Sequence, residues 1–118
     1  MQRWLVRAEE GDWAQVPSQA GRGLNERWLL RVSEHAPNFD VRHIVVQPGA
    51  TARTHAHSWE QANYVLSGAG EVEIDGEPAT IGAGDFVFIP PAASHTFRNL
   101  SQDTALVLLC MQGRKDNA

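Results

Sequence analysis

The chain has one cysteine, no long apolar run and no cluster of basic residues, and each shortage excludes a class of protein. A lone Cys110 cannot close an internal disulfide, so a cross-linked secreted scaffold is out. Its neighbours Leu108, Leu109 and Met111 mark it as a small buried hydrophobe. The longest apolar run, Ala105–Met111, is seven residues. A helix needs roughly 20 to span a bilayer, so this run is expected to be a core strand and no membrane partner is expected. Ten Lys and Arg scattered among fourteen Asp and Glu give a net charge of −4, which argues against a nucleic-acid partner. The first ten residues have no apolar core before a small-residue cleavage site, so a cytoplasmic location is the expectation.

Helical periodicity is also missing. Short runs rich in Val, Ile and Phe recur between Gly and Pro instead, which predicts a mostly β chain. Strands are expected over 27–32, 39–47, 51–57, 61–67, 70–74, 77–81, 85–89, 95–99 and 104–111. Asp75-Gly76, between two such runs, predicts a tight hairpin whose turn needs positive φ at both residues. At 118 residues and 42% apolar composition one domain is expected, with a strand-rich body over about 27–112. The segment 1–26, with Trp4 and Trp13, is expected to cover that body or a dimer interface. Phe86 and Phe88 alternate with Val87 and Ile89, so both faces of one strand are apolar; another sheet, the N-terminal segment or a second subunit would cover one of them, and a homodimer is expected.

What the chain does have is His55 and His57 one residue apart, and a third histidine, His95, in a separate apolar segment. In an extended strand residues two apart share a face, so the two imidazoles can converge on one ion. Three imidazoles suit manganese, iron, nickel, zinc or copper better than a hard, oxygen-loving cation. No glycine-flanked nucleophile surrounds Ser58 or Ser94, and Gly82-Ala-Gly84-Asp85 is too short to cradle phosphates.

The stretch Gly49-x5-His55-x-His57-x3-Gln61-x6-Gly68 resembles the first motif of the cupin superfamily, G-x5-H-x-H-x3,4-E-x6-G, with Gln61 where the acid stands. Gly84-x5-Pro90-x-Ala92-x2-His95-x3-Asn99 resembles the second, G-x5-P-x-G-x2-H-x3-N, with Ala92 in place of a glycine. The resemblance implies an all-β, jelly-roll barrel with a divalent transition metal inside, held by His55, His57, His95 and the residue at position 61. Either Gln61 coordinates through its amide oxygen or the adjacent Glu60 replaces it; a one-residue shift in a strand changes face, which favours Gln61. Such a neutral set would leave the ion strongly electrophilic, and would release it below about pH 6 as imidazoles protonate.

Candidate substrate contacts follow from strand parity. Arg53 shares the parity of the histidine pair and would point into the same cavity or lie at the barrel rim in water; Asn63 lies two beyond Gln61, and Phe97 and Asn99 two and four beyond His95, where they would orient a ligand or fill the barrel. Trp59 sits between His57 and Gln61, where it would shield the site or pack outside. His43 is a minor pocket candidate, and His35, beside Ala36-Pro37, is expected in solvent. The resemblance implies an enzyme that uses the metal as a Lewis acid on a small polar molecule. Isomerase, tautomerase or lyase chemistry on sugar-derived acids is the leading expectation. A metal-dependent dioxygenase and a non-catalytic small-molecule sensor are the alternatives.

Overall fold

The computed structural model describes residues 5–10, 13–15, 23–31, 38–54 and 56–113. Among these the regular elements are ten strands: β1 (Ala14–Gln15), β2 (Leu24–Leu30), β3 (Asp40–Val46), β4 (Thr51–Thr54), β5 (Gln61–Ser67), β6 (Ala69–Ile74), β7 (Glu77–Gly82), β8 (Phe86–Ile89), β9 (His95–Arg98) and β10 (Leu106–Gln112). No helix among the described residues is long and apolar enough to cross a membrane.

The strands form two antiparallel sheets, a six-stranded one in the order β1-β2-β3-β10-β5-β8 and a four-stranded one in the order β4-β9-β6-β7. Alternation builds the space between them. Ile44 and Val46 of β3, Leu106, Leu108 and Cys110 of β10, Val65 of β5 and Ile89 of β8 point inward from the larger sheet. Ala52, Val72, Ile81 and Phe97 answer from the smaller sheet in one continuous core. This is the jelly-roll cupin architecture expected from the motifs.

Where the chain passes from one sheet to the other, between β5 and β6, Gly68 has φ of 84° and a Cβ there would lie 2.2 Å from the Ala105 carbonyl oxygen. Only glycine fits such an approach. The Asp75-Gly76 hairpin is present, with φ of 48° and 87° and with Ile74 opposite Glu77.

Several expected boundaries move. β2 begins at Leu24, three residues before the expected strand, and the two-residue β1 pairs with it through Ala14 and Glu26. Arg27 Nη1 donates to the carbonyls of Ala8 (2.6 Å) and Glu10 (2.9 Å), which ties the described part of the N-terminal segment to the outside of the larger sheet. β4 stops at Thr54, so His57 does not continue it as the parity argument assumed.

Candidate functional site

His57 lies in the irregular connection between β4 and β5, and His95 opens β9 on the smaller sheet. Ala92 pins the first of these, because its N–H donates to the His57 carbonyl at 2.6 Å. To make that bond Ala92 adopts φ of 68°, the left-handed region that an L-residue occupies at a cost. The two imidazoles then meet edge to face, their centroids 5.2 Å apart.

Hydrogen bonds fix the state of both rings. His57 Nδ1 is 2.8 Å from the Trp59 carbonyl and His95 Nδ1 is 3.2 Å from the Ala93 carbonyl. A carbonyl only accepts, so each Nδ1 carries a proton, and in that tautomer the Nε2 presents a lone pair. His95 Nε2 is buried and has no partner among the described residues. Burial pushes the His95 pKa below the ordinary histidine value; the Ala93 bond works against this, and nearby His57 and Arg42 add to it. His57 Nε2 faces Gln61 Oε1 at 3.2 Å.

Gln61, at the start of β5, is held from two sides. Its Oε1 accepts from Gln112 Nε2 at 3.2 Å, and its Nε2 donates to Asn63 Oδ1 at 3.1 Å. The oxygen is thus turned toward His57, and in the Nδ1–H tautomer it faces the Nε2 lone pair, acceptor to acceptor, across a hydrogen-bond distance. Such an arrangement, beside a buried lone pair on His95, fits a cation between them. The donors present therefore suit a borderline transition ion, with imidazole nitrogen and amide oxygen as its neighbours.

The expected residues fall into three groups. His57, Gln61, His95 and Asn63 are brought together, and the Trp59 ring stacks on His57 at 4.6 Å and 8°, shielding that imidazole. His55 and His35 lie outside the described residues. Among those described, no three His, Cys, Asp or Glu side chains converge, so the cluster is two histidines with amide side chains. Glu60 is exposed, on the other side of the chain from Gln61.

The remaining candidates are spread over the fold. Arg53 is exposed on β4, because Ala52, opposite Phe97, takes the inward position in that strand. Phe97 packs in the hydrophobic core. Asn99 is buried, but its Nδ2 donates to the Val46 and Thr104 carbonyls at 2.9 and 2.8 Å and its Oδ1 accepts from Ser101 N at 3.0 Å. It closes a loop, with both Nδ2 hydrogens and one Oδ1 lone pair already used. His43 is on the outer face of β3, with Nδ1 3.4 Å from Arg27 Nη2 and the ring 4.9 Å from Trp13. The even-numbered residues of β3, including Asp40 and Ile44, face the core instead.

Sequence reasoning missed Gln112, whose signal was the alternation Leu106, Leu108, Cys110 continued by one more inward position. It also missed Arg42 and Glu26, a half-buried ion pair at 2.9 Å beneath the same core. Burial raises the Cys110 thiol pKa, and only Arg42 pulls it the other way.

Comparison with known proteins agrees with the architecture. The chain is 41% identical over 56 residues to gentisate 1,2 dioxygenase 1 of Aquipseudomonas alcaligenes, covering 47% of this chain and 16% of that protein. It is 34% identical over 96 residues to polyketide synthase CurC of Streptomyces cyaneus, covering 80% and 62%. It thus spans less than two thirds of either relative's length. The polyketide cyclase RemF from Streptomyces resistomycificus superposes with a TM-score of 0.82 at 23% identity, over 96% of this chain and 79% of that one. Residues 42–111 match the Cupin domain family, and the chain belongs to it.

Proposed function

We propose that this cupin is an enzyme whose divalent transition metal is held by His57, Gln61 and His95 together with His55, and that it acts on a small polar organic molecule. The observation that supports this most is the pair of opposed acceptors, His57 Nε2 and Gln61 Oε1 at 3.2 Å, beside the unpartnered His95 Nε2. A bound ion would supply a Lewis acid of nearly undiminished charge, because all four donors are neutral. The protein's own contribution is orientation. The Trp59 and Ala93 carbonyls hold the imidazole tautomers, Gln112 and Asn63 hold the amide of Gln61, and Trp59 covers one ring. Such a site suits isomerisation, tautomerisation or elimination, in which a substrate oxygen gains negative charge.

The local likeness to a gentisate dioxygenase favours a second reading, oxygen-dependent ring or chain cleavage. Thermal unfolding with manganese, iron, nickel, zinc or copper added, followed by oxygen-uptake assays on the loaded protein, tests both. A stabilisation that grows with ion concentration is expected for the metal site. Oxygen consumption with iron would transfer the reading to a dioxygenase, tight binding without turnover would transfer it to a sensor, and no stabilisation by any ion would end it.

The same proposal includes a homodimer. Phe86 and Phe88 of β8 are exposed beside Tyr64 and Leu66 of β5, on the outer side of the larger sheet. Light scattering checks this against a monomer.

A further inference from the structure

The larger sheet also carries donors that no described residue satisfies. Asn63 is fully buried; its Oδ1 is taken by Gln61 and its Nδ2 has no partner. Arg42 gives Nη1 to Glu26 Oε1 at 2.9 Å and Nη2 to the Cys110 sulfur at 3.7 Å, a weak acceptor, and its Nε is buried and unpartnered. Buried donors left unbonded are costly, so each points to something that completes it.

The two groups share one row. Cys110 pairs with Arg42 on one side and with Asn63 on the other, and its own thiol is fully buried between them. The neighbouring row carries Gln112 and Gln61, so this row lies one inward step along the strands from the histidine cluster. The Trp28 ring lies 5.2 Å from the guanidinium carbon. The Arg42 side chain keeps 16% of its surface accessible, while its Nε is buried.

The way Glu26 holds Arg42 decides the ligand class. Glu26 occupies Nη1, and the Nε–Nη2 edge, the planar fork that matches the two oxygens of a carboxylate, meets only the weak Cys110 sulfur acceptor, through Nη2. The Glu26 charge next to it disfavours a multiply charged anion such as phosphate, and a planar monoanion fits best. We propose that Arg42 and Asn63 form an anion subsite inside the barrel that receives the carboxylate of a small organic acid. Another oxygen of that acid would lie toward His57, Gln61 and His95, which rests on the function proposed above. The interior cation is then Arg42, where strand parity had pointed to Arg53.

A two-dimensional amide NMR titration of metal-free and zinc-loaded protein with pyruvate and with its uncharged amide, pyruvamide, tests the subsite. Metal content is measured in each sample. Pyruvate is expected to bind at least about tenfold more tightly than pyruvamide in both forms, the worth of one charge-assisted hydrogen bond. The paired change Arg42→Gln with Glu26→Gln, which avoids stranding a buried charge, and Asn63→Leu are each expected to erase that preference while the amide spectrum stays folded. Equal binding of the two probes, or a preference that survives the Arg42 change, would overturn the subsite and leave ordered water on those donors. A preference that depends on Arg42 but is the same in protein unable to take up zinc would uphold the subsite and refute the metal centre instead.

Discussion

Replacing Ala92 with glycine is expected to stabilise the protein. Ala92 holds φ of 68° so that its N–H can reach the His57 carbonyl at 2.6 Å. An L-residue in that region is strained by roughly 1–2 kcal/mol. Glycine removes the strain but makes the unfolded chain more flexible, which gives back about 0.4–1 kcal/mol. The net gain is about 0.5–1 kcal/mol. With an unfolding entropy of about 2.1 cal/mol/K per residue, a chain of 118 residues should gain about 2–4 °C in Tm. Scanning calorimetry of metal-free protein measures this directly. Asp75, with φ of 48°, is the control, because its Oδ1 accepts from Ser94 N at 2.9 Å and Ser94 Oγ at 3.2 Å. Asp75→Gly relieves a similar strain but loses those bonds, so it should lower Tm. A fall in Tm for Ala92→Gly would show that backbone strain does not govern that position, and a rise for Asp75→Gly would show that strain there outweighs the two hydrogen bonds to Ser94.

Three further outcomes follow from the site and its surroundings. Gln61→Glu adds a negative charge to a neutral donor set, and the unpartnered Asn63 Nδ2 can turn to bond the new carboxylate. Metal affinity in a chelator competition should rise at least about tenfold; weaker retention would place the metal away from this side chain. Asn99→Ala removes three hydrogen bonds from a buried loop closure, so it should cost about 2–3 kcal/mol in denaturant unfolding without changing metal content. Burial, and then the charge of Arg27, lowers the His43 pKa below the ordinary value of 6.5. The unfolded chain therefore binds this proton more readily, and the stability that neutral His43 contributes is present above about pH 6.5 and lost as pH falls through its lower folded value. His43→Gln should flatten the acid side of the stability curve relative to the parent, and an unchanged slope would contradict this.

The legible parts of the sequence were those where local chemistry decides. Asp75-Gly76 dictated its turn, and the alternation in Leu106–Gln112 dictated a half-core strand. The spacing of His57, Gln61 and His95 marked the cluster because it repeats a family motif. Parity failed where a strand was assumed to run on. β4 ends at Thr54, so Arg53 could not be placed from His57, and its inward neighbour proved to be Ala52. β3 was ambiguous in another way, because Val41 and Val45 are as apolar as Ile44 and Val46. No pattern showed that Arg42 faces in and His43 faces out; packing of β3 between β2 and β10 settles it. Asn99 sits at a motif position, yet its role is to close the loop after β9, which only its three partners reveal.

The most direct test of the metal centre is elemental analysis of the purified protein beside His95→Ala and Gln61→Ala, each checked for folding by circular dichroism. The account predicts about one bound transition ion per chain in the parent. It predicts near-complete loss with His95→Ala and marked loss with Gln61→Ala. Undiminished metal in both variants, or none in the parent after incubation with any of the five candidate ions, would contradict it.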